Sequence, residues 1–385
     1  MDLAQHSAEE GWVGRAREAA PLIAALAPRI ESERALPPEL LENLHAKQLF
    51  RMLLPRSLGG GEVEPATLVQ VLETLAMADG STAWCVGQAS GCALSAAYLA
   101  PEVAREIFGP PDAVLAWGAT NRDAKAVPVE GGYRVTGRWH FASGSRHAAW
   151  LGGHCTLLGP DGPQGERTML FPRAAAGIED VWQVMGLRGT GSDSYSVAEL
   201  FVPARYSFAR DMPEDRRETG PLYRFTTHHI YGMGFAGVAL GLARASLDAF
   251  TVLAQEKRAA HGTQLLRDGA SVQLALARAE ATLQAARSLL LETARALWQE
   301  AVATGSLPLP LRARLRLAST HAIGSARAVV ESAYSLAGAS AIFDANPFER
   351  RFRDMHAVSQ QIQGQPANLE MVGQYLLGLP PNPRL

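Results

Sequence analysis

Cysteine is scarce, with three residues, Cys85, Cys92 and Cys155, in a chain of 385. No CxxC pair occurs, and the interval from Cys85 to Cys92 suits neither a zinc knuckle nor a redox motif. The thiols therefore read as small buried hydrophobes. An excess of one charge is also missing: 36 Lys and Arg stand against 38 Asp and Glu, a formal net charge of -2. Without a block of like charge there is no groove to track phosphates, which argues against nucleic acid as a partner. No uninterrupted apolar run reaches the roughly 20 residues that span a bilayer. Glu9, Glu10, Arg15, Arg17 and Glu18 break up Met1 to Ile30, unlike a signal peptide. A soluble, cytoplasmic protein with no membrane partner is expected.

Hydrophobic residues make up 47% of the chain, enough for a large core. The length exceeds the roughly 250 to 300 residues at which single cores stop growing, so two or three packed domains are expected. From Arg15 to Phe108 the pattern is helical. In RALPPELLENLHAKQLFRMLLP the Pro37-Pro38 entry precedes Leu41, Leu44 and Leu49 at near-helical spacing, and Gly59-Gly60-Gly61 stops the run. A second helix opens near Glu64-Pro65, carries Leu68, Val71, Leu72 and Leu75 on one face, and ends at Asp79-Gly80.

Near Ala113 the pattern changes. VPVEGGYRVTGRWHFASG sets Gly131-Gly132 between two β-branched and aromatic runs, a hairpin signal, and TMLFPR and SYSVAELFVP continue in strand-length alternation. After Pro221 helices return. Leu276, Leu283, Leu290 and Leu297 repeat every seven residues beside Val272, Ala279 and Ala286, predicting a bundle helix over 271–302, roughly 45 Å long. A further helix is expected from Leu311 to Ala337. The order is α+β with segregated parts, mostly α: a helical domain over 1–112, a small β domain over 113–212 and a helical bundle over 213–385.

Gly232-Met233-Gly234-Phe235-Ala236-Gly237 is a literal GxGxxG, but no βαβ unit surrounds it. Close packing of a helix on the β domain is the reading it supports. His228-His229 and Asp344 with Glu349 do not make a metal site, since adjacent histidines cannot face one centre from a helix and no HExxH is present. No GxSxG elbow supports a hydrolase.

FRMLLPRSLGG (Phe50 to Gly60) with ADGSTAW (Ala78 to Trp84), GGYRVTGRWHFASGSRHAAW (Gly131 to Trp150) and NPFERRFRDMHAVSQQ (Asn346 to Gln361) follow one another in an order that resembles the acyl-CoA dehydrogenase superfamily. With GLRGTGS (Gly186 to Ser192), they are most similar to the oxygenase components of two-component flavin monooxygenases on that fold. The resemblance implies an N-terminal helical domain, a central small β-barrel and a C-terminal four-helix bundle. It also implies reduced flavin (FADH2 or FMNH2) with O2 as co-substrate, a separate NAD(P)H:flavin reductase, a small-molecule substrate that is aromatic or heteroatom-bearing, and a homotetramer.

Flavin requires an apolar wall, a few donors at the ring and cations or amides for its phosphate. Phe141 and Ser143 fall where the family places an aromatic wall and a hydroxyl, and two residues apart on a strand they are expected to share a face. Trp117 and Thr120 are further cofactor candidates. Arg258 resembles the family's arginine that reaches flavin phosphate or adenine in a neighbouring subunit, His261 standing where that family has Phe, and Gly338 with Ser340 resembles its glycine turn, which approaches flavin across the dimer. Ser143 is expected to donate to the flavin N5 or to the peroxide formed on it, with His356 or Gln361 holding the distal side of the pocket.

Two departures from the family carry weight. Acyl-CoA dehydrogenases remove the α-proton of a thioester with a glutamate near a Gly-Thr, shortly after an Arg-Asp pair. Here Arg353-Asp354 leads to Gln363-Gly364, and an amide is no base, which leaves Glu370 as the displaced alternative. Gln361 also replaces the histidine usual in the oxygenase motif. The leading expectation is a monooxygenase. An acyl-CoA dehydrogenase with a displaced base and a non-catalytic flavin-binding protein are its rivals.

Overall fold

The computed structural model describes residues 3–119, 123–210, 212–258, 263–382 and 385, with side chains from residue 10 onward. Five helices come first: α1 Leu3–Glu33, α2 Pro38–Ala46, α3 Pro65–Ala78, α4 Gly80–Ala93 and α5 Pro101–Phe108. Proline supplies the first helical position of α2, α3 and α5, where its missing N–H costs no bond. The Asp79-Gly80 stop expected for α3 is also a start. Asp79 ends α3 and its carboxylate accepts from Thr82 N at 2.7 Å, capping α4. Every residue of α4 is buried.

The strands follow: β1 Leu115–Trp117, β2 Lys125–Val129, β3 Gly132–Ala142, β4 Trp150–Gly159, β5 Gly162–Pro172, β6 Gly177–Glu179, β7 Asp193–Pro203 and β8 Ser207–Phe208. The hairpin of β2 and β3 turns at Gly131, whose φ of 76° a side chain would strain. The sheet runs β6-β7-β3-β2-β4-β5-β8, with β1 parallel to β4. Trp139 fills its centre, fully buried, donating from Nε1 to the His154 carbonyl at 3.0 Å and stacking on Tyr195.

Helices α6 Thr227–Glu256, α7 Ala270–Thr304, α8 Leu309–Ala337, α9 Phe348–Gln360 and α10 Ala367–Leu376 complete the chain. The seven-residue repeat is the core seam of α7, where Leu283, Leu290 and Leu297 are buried beside Ala279 and Ala286. The GxGxxG lies wholly within α6, where Gly234 and Gly237 pack on α3 and Gly232 faces Ser319 of α8 and Gln363, not the β domain. A Cβ on Gly237 would stand 2.7 Å from the Val69 carbonyl, and one on Gly241 2.2 Å from that of Glu73, so the two backbones touch. Contrary to the run-length expectation, α6 is long and apolar enough to cross a membrane by length and composition, yet 67% of that window is buried inside the protein.

Candidate active site

β3 does not alternate to its end. Its pairing with β7 shifts register between Trp139 and Ala142, and Phe141 takes a left-handed φ of 60° there. Phe141 is thereby turned outward, 65% exposed, with its ring edge-on to Trp182. Ser143 is turned inward and is 6% exposed. The expectation that the two share a face is therefore corrected: the bulge breaks the period-two pattern. A bulky side chain in the left-handed region costs of order 1 to 3 kcal/mol, and such outliers persist where the surroundings enforce them.

The Ser143 hydroxyl sits in a row whose direction can be worked out. Thr190 Oγ1 donates to the Leu187 carbonyl at 2.8 Å, so it must accept from Ser192 across their 2.7 Å contact. Ser192 has then spent its proton and must accept from Ser143, also at 2.7 Å. Trp84 Nε1 donates to Ser143 Oγ at 3.1 Å from α4. The Ser143 proton thus points away from the outward face, and donation to a ring there requires the hydroxyl to rotate. Arg146 fastens this corner, with Nε 2.7 Å from Asp193 Oδ2, next to Ser192.

The same segment reaches α9. Leu187 N donates to Asp354 Oδ1 at 2.6 Å, and Trp182 Nε1 donates to the Leu187 carbonyl at 3.0 Å. Burial, with the Asp79 carboxylate nearby, pushes the Asp354 carboxyl up to about 7. His356 does not join this corner. Two residues from Asp354, it points to the other side of α9, with its ring 4.3 Å from that of Phe352 and Nε2 3.4 Å from Glu331. Gln361 accepts from Gln363 N at 2.7 Å and so caps its own turn.

Trp117 is buried, packed edge-on to His154, with its carbonyl accepting from Gln88 Nε2 at 3.4 Å. Its ring belongs to the core. Thr120 and His261 lie outside the described residues. Arg258 is exposed and donates to the Thr263 carbonyl. Its neighbour Lys257 joins it to the glycine turn, because Lys257 Nζ donates to Ser340 Oγ at 2.8 Å and to the Ala337 carbonyl at 2.6 Å. Gly338 has a φ of 59° there. Arg258, Lys257 and Ser340 thus form one cationic, hydroxyl-bearing edge, while Ser143 and Phe141 form a separate corner.

Gln363 is buried, and its Oε1 accepts from Arg316 Nη1 at 3.0 Å. Its carbonyl accepts from Thr320 Oγ1 at 2.9 Å. Glu370 is exposed and bonded to Gln374 Nε2 at 3.2 Å. Neither offers a buried free base. The three thiols are buried, Cys92 and Cys155 being pushed up to about 12 by burial, so none is a nucleophile.

These residues fit a flavin. The exposed left-handed Phe141 with Trp182 gives an apolar wall, Ser143 gives a hydroxyl on the inner face of the same turn, and Lys257 with Arg258 gives a charged edge suited to phosphate. Sequence reasoning assigned no role to Trp84, Ser192, Lys257 or Arg316. Trp84 and Ser192 stood within the recognised motifs, and Lys257 adjoins Arg258, so proximity was the available signal.

Two family descriptions match: "Acyl-CoA dehydrogenase, N-terminal domain" over residues 15–108 and "Acyl-CoA dehydrogenase, C-terminal domain" over 233–366. The chain is 30% identical to the indole-3-acetate monooxygenase of Pseudomonas putida, over 92% of this chain and 90% of that one. It is 29% identical to the oxygenase component of the FADH2-dependent resorcinol hydroxylase of a Rhizobium species, over 96% and 94%. XiaF from a Streptomyces species, solved with FADH2 and glycerol, superimposes with a TM-score of 0.92 at 26% identity, covering 99% of each chain. The chain therefore belongs to the acyl-CoA dehydrogenase superfamily and, within it, to the flavin-dependent monooxygenase oxygenase components, which use reduced flavin and dioxygen.

Proposed function

We propose that this protein receives diffusible FADH2 or FMNH2 from a separate NAD(P)H:flavin reductase and transfers one oxygen atom of dioxygen to a small aromatic or heteroatom-bearing substrate, the other atom leaving as water. The observation that carries the reading is the pairing of Ser143, buried and aligned by Trp84, with the outward-turned Phe141. When bound, reduced flavin supplies the two electrons and carries the oxygen atom to the substrate. Phe141 and Trp182 form the wall against which a ring stacks, and the closed packing of Trp84 behind Ser143 excludes water from that side. Ser143 lies on the inner face of the turn that carries Phe141, and its hydroxyl serves a ring that reaches past the wall toward Trp84.

The charged edge of Lys257, Arg258 and Ser340 supports a role in holding flavin phosphate, at a subunit boundary where Ile342 and Phe343 stand 62% and 59% exposed. Leu376 and Leu377, 71% and 82% exposed, add apolar surface for a homotetramer. A cytoplasmic location suits a supply of NAD(P)H. The dehydrogenase reading has no support from the position of a base, since Gln363 is an amide bound to Arg316 and Glu370 faces outward.

The test is an anaerobic titration with reduced and oxidised flavin, followed by turnover of aromatic compounds with a flavin reductase. Tighter binding of the reduced form and incorporation of one oxygen atom are expected. Equal affinity for both forms, or flavin reduction by NADH without a reductase, overturns the reading.

A further inference from the structure

The two rings of the wall stand on separate segments. Phe141 lies at the end of β3, whereas Trp182 lies just beyond β6, whose pairing with β7 stops at Glu179. From Asp180 the chain forms no helix or strand until residue 188, yet the Trp182 ring stands edge-on to Phe141 with centroids 6.1 Å apart. One guanidinium bridges the two segments. Arg146, in the turn that follows Ser143, donates from Nε to Asp193 Oδ2 at 2.7 Å and from Nη2 to Asp193 Oδ1 at 3.2 Å. The same Nη2 reaches Asp180 Oδ1 at 3.1 Å. Arg34 also grips Asp180, with Nη1 to Oδ1 and Nη2 to Oδ2 each at 2.6 Å, and its Nη1 lies 3.4 Å from the Trp182 carbonyl. Gly191 leaves room for this crossing. Its φ is 49°, and a Cβ there would stand 2.6 Å from Arg146 Cδ and 2.9 Å from the Arg34 carbonyl.

The two ends of this bridge differ. The Asp193 side chain is 3% exposed and takes two charge-assisted hydrogen bonds from Arg146, which makes that end a fixed anchor. The Asp180 side chain is 54% exposed, so its end is held by ion pairs that water and salt weaken. We propose that Arg146 is a positioning residue for the flavin ring. Anchored on Asp193, next to the Ser192 that accepts from Ser143, it holds Asp180 and so sets Trp182 against Phe141 at the spacing that grips a reduced ring; the proposal rests on the monooxygenase reading above. Arg146 acts through Asp180 and Trp182, as a strut between the hydroxyl row and the wall. Lysine does not substitute for it, because a point charge on a flexible stem lacks the fork that serves both carboxylates at once. The grip on the ring is therefore sensitive to ionic strength, even for a flavin that carries no phosphate.

The test uses reduced riboflavin, which has the ring without a phosphate, titrated anaerobically into the full chain, with peroxide release from FADH2 in air as a second readout. Asp180→Ala leaves the pair of Arg146 and Asp193 intact, and exposed ion pairs add little to stability, so its melting should match the wild type. Its affinity for reduced riboflavin should still fall about 2- to 5-fold, the worth of an exposed ion pair. Peroxide released per flavin oxidised should rise. Arg146→Lys keeps a cation beside the buried Asp193 and should shift both readouts the same way, and the double variant should bind no worse than the weaker single. In about 1 M NaCl, where the Debye length shrinks to roughly 3 Å, wild-type affinity should approach that of Asp180→Ala in the same salt. Undiminished affinity in Asp180→Ala, additive losses in the double variant, or a loss that only tracks a lowered melting temperature overturns the proposal. Those results leave the monooxygenase reading standing, whereas a wild-type protein that binds no reduced flavin at all strikes that reading and the strut together.

Discussion

Replacing Ser143 by alanine removes one oxygen atom that serves two partners. Trp84 is 7% exposed, so its indole N–H is left without an acceptor and without access to water. An orphaned buried donor costs about 1 to 3 kcal/mol. Ser192 keeps its bond to Thr190 and loses only an incoming donor, so the indole dominates the loss. Trp84→Phe removes that donor while an aromatic ring remains against Phe235. The double variant is expected to be less destabilised than the sum of the singles by at least about 1 kcal/mol, beyond the roughly 0.3 to 0.5 kcal/mol within which independent sites add. Urea unfolding of the four proteins at one concentration measures this. Ser143→Ala should also raise the peroxide released per flavin oxidised, read with a peroxidase dye alongside product. Strict additivity together with unchanged peroxide release would falsify the role assigned to Ser143.

Other perturbations follow from the same geometry. Phe141→Gly places at a φ of 60° the residue that tolerates it, so stability should hold or rise by up to about 1 kcal/mol while affinity for reduced flavin falls; unchanged affinity would remove Phe141 from the wall. Gln363→Glu should not create acyl-CoA-dependent flavin bleaching in an anaerobic cuvette. The new carboxylate would stand beside Arg316, which favours its ionised, weakly basic form. Bleaching of the wild-type protein by any common acyl-CoA would restore the dehydrogenase reading. The Asp354 carboxyl is raised to about 7 by burial, from an unfolded value near 3.8, so the folded state holds a proton that the unfolded state releases between those values. Stability contributed by this group is therefore lost as pH rises from about 4 to about 7. Asp354→Asn keeps an oxygen for Leu187 N and should melt with a shallower decline over that window; an unaltered profile refutes the assignment.

The helices were legible where a local rule decides them. The leucine repeat of α7 and the proline entries of α2 and α3 depend on neighbours a few residues away. The Gly131-Gly132 hairpin is similarly local. The outward turn of Phe141 was not legible, because it arises from a register shift against β7, a strand more than 50 residues downstream. The partner of the glycines in α6 was misjudged for a related reason. Small residues announce a close approach and say nothing of which backbone approaches. His356 was assigned by its place in a motif, whereas the 200° of helix rotation separating it from Asp354 sends its ring toward Glu331. The Arg316 to Gln363 bond joins residues 47 apart, and no local pattern marks it.

The row from Ser143 through Ser192 and Thr190 ends on a backbone carbonyl, which accepts a hydrogen bond but takes no proton. On the far side of Leu187 the link to Asp354 is through a peptide N–H, which does not release one at neutral pH. The row is therefore an insulator. It holds the Ser143 oxygen in place while denying the pocket a conducting path to the buried carboxyl, and a chemistry that wastes its oxidant whenever protons arrive too early gains from a support that leads nowhere.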